Sequence, residues 1–307
     1  MYVEKLIQLI IDKKSVISMG LDPLMDKEGE IPKYLIEELN NPNEVILEFN
    51  KILIENTYQL IPIIKPQIAF YEKYDALNAL KETIKFAHKN DLLVILDSKR
   101  NDIGNTSKAY ADATFKVYKA DACTLNAYFG FDGIKPYLES YKDKGLHILV
   151  KTSNPSSKDF QDLFSVNMAE ISNSATQIRV NSTILERNYI QMAKLVQFWG
   201  EQLQKFSNFS NLGVVVGATF PQVLKKIREI VSNSFILMPG YGAQGAQAKD
   251  IKHGFNEEGL GGIVNSSRGI IYAYNKLEHF PPEKFGQAAR NQIIEMNKKI
   301  NKVLRIQ

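Results

Sequence analysis

Short apolar runs, each closed by polar or turn-forming residues, recur along the chain. They cover residues 16–20, 62–66, 92–96, 122–125, 147–150, 212–216, 235–238 and 262–264. Half-exposed strands alternate apolar and polar positions, whereas near-continuous runs of this length suit parallel strands buried on both faces. Between the runs, apolar positions recur at helical spacing. Residues 43–60 carry Val45, Ile46, Phe49, Ile52, Leu53 and Tyr58 as such a set, and 75–88 and 106–118 behave similarly. Residues 221–231 open on a proline, which the first helical position tolerates because its amide needs no partner there.

Strands alternating with helices predict an α/β fold, and eight of them predict a single-domain (β/α)8 TIM barrel over residues 1–307. A doubly wound open sheet is the alternative that this pattern leaves. Two polar stretches exceed a minimal barrel, one near 25–40 and one, rich in Ser and Asn, near 155–182. Both follow strand ends, so both are expected on the C-terminal face as lids or decoration.

Composition narrows the functional classes. The net charge is +4, from 38 basic and 34 acidic side chains dispersed along the chain. That is too weak a field for nucleic acid, though it suits small anionic ligands. The lone cysteine, Cys123, excludes an internal disulfide framework and fits a reducing compartment. The opening MYVEKLIQLIIDKK reads as an amphipathic helix rather than a secretory signal. No apolar run approaches the ~20 residues that span a bilayer. A cytoplasmic location with no membrane partner is the expectation.

The C-terminal ends of barrel strands share one mouth, so the chemistry is sought there. The third run ends in LDSKRND, which places Asp97, Lys99, Arg100 and Asp102 where a buried strand stops. Desolvating charge is costly without a partner or a task. Asp97 and Lys99 are two apart and would face the same side of a continuing strand. Lys65, on the neighbouring strand, could pair with Asp97. Asp102 lies beyond the strand and need not share their direction. The pattern predicts an alternating Lys65, Asp97, Lys99, Asp102 array; a structural salt-bridge network is the plainer alternative. After the seventh run, PGYGAQG supplies Gly240, Gly242 and Gly245, where backbone amides could approach an anion. Arg268, at the start of the last barrel helix, offers a planar donor fork suited to phosphate. The plain alternative here is a glycine-rich turn beside a surface arginine. No His, Asp or Glu set has metal-ligand spacing, no nucleophile elbow is present, and GYGAQG comes too late for a dinucleotide fingerprint. Lysine and aspartate chemistry without metal or cofactor is therefore expected.

The segment LDSKRNDIGNT resembles the DxKxxDI(G)xT signature of the orotidine 5′-phosphate decarboxylase family, in its long bacterial and protozoan form. GLDP, IKPQ, VKTSNPS, PGYGAQG and NSSRG follow the family's order over nearly the whole chain. The resemblance implies a cofactor-free carboxy-lyase that converts orotidine 5′-monophosphate to UMP and CO2, the last step of de novo pyrimidine synthesis. It implies Lys65, Asp97 and Lys99 as the charged array, with Lys99 stabilising and protonating the C6 carbanion. It implies a homodimer in which Asp102, Ile103 and Thr106 reach into the partner's site. Asp22 would hold the ribose hydroxyls and Ser153 the pyrimidine. Gln244 would span phosphate and base, Arg268 would bind phosphate, and Asn126 would lie near the ribose. Orotate phosphoribosyltransferase, sometimes fused in this family, is the further partner suggested; the sequence shows no acidic-pair phosphoribosyl motif. Another phosphosugar lyase or isomerase on the same barrel is the alternative activity.

Overall fold

The computed structural model describes residues 1–26, 30–165, 185–242, 245–277 and 279–306. Eight parallel strands close into a barrel: β1 (Ile17–Leu21), β2 (Ile63–Pro66), β3 (Leu93–Leu96), β4 (Ala122–Leu125), β5 (Gly145–Lys151), β6 (Leu212–Val216), β7 (Ile236–Pro239) and β8 (Gly262–Ser266). Each pairs with its neighbours in sequence, and β8 returns to β1 with Ile17 opposite Val264. The open-sheet alternative is thereby excluded. Nearly every strand residue is buried, because β-branched side chains fill the barrel on one side and meet helices on the other.

The helices follow the expected spacing with shifted ends. Pro42–Thr57 ends in a 3-10 turn at Tyr58–Leu60, Leu77–Lys89 replaces 75–88, and Gly104–Asp112 runs into a π-helical turn at Ala113–Val117. Among the helices outside the segments recognised from spacing are Lys33–Leu39 within the first insertion, Asn188–Glu201 and Phe285–Leu304. The last packs on Pro42–Thr57 through stacked Phe49 and Phe285 rings, 5.0 Å apart. The second insertion begins with a 3-10 turn, Pro155–Asp159, and a two-residue antiparallel pair, Phe164–Ser165 with Glu186–Arg187. Residues 166–184, most of that expected insertion, lie outside the described residues. Among the described residues no helix is long and apolar enough to cross a membrane.

The first helix, Tyr2–Lys13, packs across the N-terminal ends of β5 and β6. There the Tyr2 hydroxyl meets His147 Nε2 at 3.0 Å, while His147 Nδ1 is buried without a hydrogen-bond partner among the described residues. Burial lowers the His147 pKa to about 4. In the unfolded chain a histidine titrates near 6.5. Between those values the unfolded chain binds the proton that the folded chain refuses, so stability rises with pH across this window. We expect denaturant unfolding to report up to about 3 kcal/mol less stability at pH 4 than at pH 7 from this group. His147→Gln should flatten the slope between pH 6.5 and 4; an unchanged slope would remove His147 as its source.

Candidate active site

Three of the four charges expected at the mouth do meet. Lys65 Nζ donates to Asp97 Oδ2 at 2.7 Å, and Lys99 Nζ donates to Asp97 Oδ1 at 2.5 Å. Lys65 and Asp97 are buried, whereas 41% of the Lys99 side chain is exposed. Lys99 thus presents its amine to the mouth while its counter-ion stays inside. Burial alone would raise the Asp97 carboxyl pKa, but the two ammonium groups override it and hold the acid well below the usual carboxylate range. Burial works against the Lys65 ammonium as well; Asp97, with Asp22 behind it, nonetheless holds its pKa above the ordinary lysine value. Lys65 and Asp97 are therefore an ionised pair at neutral pH, with the Lys99 amine on the other carboxylate oxygen.

The route by which Lys99 joins this row differs from simple strand alternation. β3 stops at Leu96, and Lys99 lies in the left-handed region with φ of 51°. That conformation costs a side-chain-bearing residue roughly 1–2 kcal/mol. The turn it makes, rather than the pleat, brings the amine back onto Asp97. Arg100 leaves the site to pair with Glu72 and lies 5.7 Å over the Tyr110 ring. Asp102 meets no lysine among the described residues of its own chain; its Oδ1 accepts from the Ile103 amide at 2.8 Å. Ile103 and Thr106 are exposed on the same projecting segment.

The remaining expected residues ring the strand ends. Asp22 follows β1, and its Oδ1 is buried with no hydrogen-bond partner among the described residues. Its backbone oxygen accepts from the Tyr272 hydroxyl at 3.1 Å, and that hydroxyl accepts from the Leu24 amide at 2.9 Å. The bend carrying Asp22 is therefore tied to the helix Arg268–Ile271 and its extension. Gly20, one residue inside β1, permits this closeness: a Cβ there would lie 1.9 Å from Ser267 Oγ. Ser153 follows β5, half-buried against Gly217 at the end of β6. Asn126 follows β4 but is exposed, and its Oδ1 accepts from the Tyr128 amide at 3.0 Å, a turn-capping role.

Gly240, Gly242 and Gly245 all adopt positive φ, at 102°, 74° and 91°. Here the glycines serve the turn itself. The Gly242 amide donates to Ala246 and the Gly245 amide to Gly242, both at 3.0 Å, so two of the three amides expected to face an anion close the loop instead. Ser266 Oγ donates to the Tyr241 carbonyl at 3.2 Å and joins this loop to the end of β8. Arg268 is exposed beside it. Gln244 lies outside the described residues.

Two buried polar residues at the mouth received no role from the sequence reading. Thr124 of β4 contacts both Asp97 and Lys99. Lys151, at the end of β5, is buried with Nζ donating to Asp162 at 2.9 Å and Ser157 at 3.1 Å. It fastens the loop that carries Ser153. A lysine closing an apolar strand was a visible signal for Lys151; a threonine in a strand carries none. Among the described residues no group of three or more His, Cys, Asp or Glu side chains gathers as a metal site.

Comparison with known proteins bears on the chain as a whole. Residues 18–280 match the family described as orotidine 5′-phosphate decarboxylase / HUMPS. The chain is similar to the orotidine 5′-phosphate decarboxylase of Caldicellulosiruptor saccharolyticus, 35% identical over 95% of this chain and 96% of that one. The enzyme of that name from Petrotoga mobilis is 37% identical over 94% and 95%. The solved structure of Leishmania donovani OMP decarboxylase superposes with a TM-score of 0.74 at 27% identity, over 99% of this chain and 98% of that one.

Proposed function

This chain belongs to the orotidine 5′-phosphate decarboxylase / HUMPS family, and from that premise we propose that it decarboxylates orotidine 5′-monophosphate to UMP and CO2 in pyrimidine biosynthesis. The observation that carries this choice is the Lys65, Asp97, Lys99 row, with one amine open to the mouth. Breaking the C6–carboxylate bond leaves its electron pair on C6 as a vinylic carbanion with little delocalisation. CO2 departs, and an ammonium placed at C6 stabilises the pair and then hands it a proton. Lys99 takes that role, and solvent reprotonates the amine afterwards. Charge fixed in advance is commonly the largest catalytic contribution. Asp97 holds the ammonium in place and, being ionised itself, takes no part as an acid.

Asp22 supports the nucleotide reading: its buried, unpartnered oxygen suits a ribose hydroxyl donor, with Lys65 adjacent in charge. Ser153 is assigned to the pyrimidine, with Asn126 beside the ribose. Arg268 and Gln244 take the phosphate, remote from the breaking bond, where binding energy can drive closure and lower the barrier. Asp102, Ile103 and Thr106 are assigned to the partner's site in a homodimer. Orotate phosphoribosyltransferase is the candidate associate, and the cytosol the candidate location.

Loss of the orotate chromophore on mixing protein with orotidine 5′-monophosphate tests the activity directly. Turnover that survives both borohydride and EDTA is expected. Inactivation by borohydride in the presence of substrate would instead indicate a Schiff-base lyase, and loss with EDTA a metal-assisted enediolate chemistry.

A further inference from the structure

One hydroxyl connects the two halves of the charged row to a third strand. Thr124 is buried in β4, opposite His147 of β5. Its Oγ1 donates to Asp97 Oδ1 at 2.7 Å and accepts from the Lys99 backbone amide at 3.1 Å. A threonine hydroxyl has one hydrogen to give, and Asp97 takes it; one of its lone pairs holds the amide of Lys99. The Lys99 amide has left the strand ladder, so this bond is what anchors it in the left-handed turn. Asp97 Oδ1 in turn receives both Thr124 and the Lys99 ammonium. Backbone and side chain of Lys99 are thereby referred to the same oxygen pair. Branching at Cβ stiffens the threonine rotamer, so the reference point itself is fixed to the barrel wall.

We infer that Thr124 is a positioning residue for the decarboxylation, holding the Lys99 ammonium in register with Asp97 through a single bridging hydroxyl. Once substrate is bound and Lys99 turns to C6, the bond from Thr124 keeps Asp97 from following it. The inference rests on the decarboxylase reading above. Displacing a reacting group by about 1 Å costs about 100-fold in rate. The loss should therefore fall on the chemical step and leave nucleotide binding alone.

The test compares T124V, which keeps the shape and removes both bonds, with T124S, which keeps the hydroxyl. In single-turnover decarboxylation T124V should be about 10- to 100-fold slower, while its KM for orotidine 5′-monophosphate and its Kd for UMP stay within about threefold. T124S should recover most of the rate. Exchange of the UMP C6 hydrogen in deuterium oxide, followed by proton NMR, should slow in parallel in T124V, because it uses the amine without the carboxylate. A purely structural threonine would lower the melting temperature and leave rate and exchange unchanged. That result, or equal loss in T124S and T124V, overturns the inference. If T124V fails to fold, T124A carries the same comparison against T124S. Wild-type protein that turns over no orotidine 5′-monophosphate defeats the underlying reading instead, so the two failures are distinct.

Discussion

Lys99→Ala is expected to lower turnover of orotidine 5′-monophosphate by at least about 10⁴-fold while leaving the protein folded. The estimate multiplies two effects of one amine. A fixed charge at a developing anion is worth about 10² to 10³ in rate, and a positioned proton donor about 10² to 10⁴. The fold should tolerate the change because 41% of the side chain is already exposed. Asp97 would keep Lys65 at 2.7 Å and Thr124 at 2.7 Å, so no buried charge is left unpartnered. Truncating Lys65 instead would strip a buried carboxylate of its buried cation, a change that typically costs about 3–5 kcal/mol and would confuse catalysis with stability. Lys99 is therefore the informative position. Initial rates by ultraviolet absorbance, with a thermal melt and UMP titration on the same sample, separate chemistry from folding and binding. A rate within tenfold of wild type would remove Lys99 from the role of proton donor, whatever the fate of the fold.

What the sequence made legible follows from how local each feature is. The barrel strands were readable because burial on both faces forces continuous apolar runs, and all eight appear. Ends were less readable: β5 starts at Gly145 rather than His147, because Gly145 pairs with Ala122 and Leu146 pairs with both Cys123 and Leu212, partners that lie on other strands. The helix Asn188–Glu201 does carry Tyr189, Ile190, Ala193 and Val196 at helical spacing, but it follows a polar stretch that masked its start. The site was legible as composition and illegible as geometry. Lys65, Asp97 and Lys99 were identified at strand ends, yet Lys99 arrives through a left-handed turn that no alternation rule provides. Thr124 was invisible because its importance depends on the register of β4 beside β3, a relation between strands rather than a property of either.

Mixing Lys99→Ala protein with Asp102→Ala protein is expected to restore activity that neither variant has alone. In a single chain Asp102 does not reach the row; its carboxylate caps the Ile103 amide, on a segment whose Ile103 is 55% exposed and whose Thr106 is also exposed. An apolar side chain that exposed, beside an acid with no lysine partner among the described residues, suits insertion into a second copy across a two-fold axis. Under such an axis each site takes Lys99 from one chain and Asp102 from the other. Random exchange of equal amounts makes about half of the dimers mixed, and each mixed dimer regains one intact site while the other carries both substitutions. About a quarter of the wild-type site number should therefore return. Orthogonal affinity tags on the two variants isolate the mixed dimer and fix its amount independently of activity. Demonstrated mixed dimers with no recovered turnover would confine Asp102 to its own chain. Recovery near a quarter would require that the row be completed from outside the chain, since no arrangement within one subunit joins the two surviving wild-type residues.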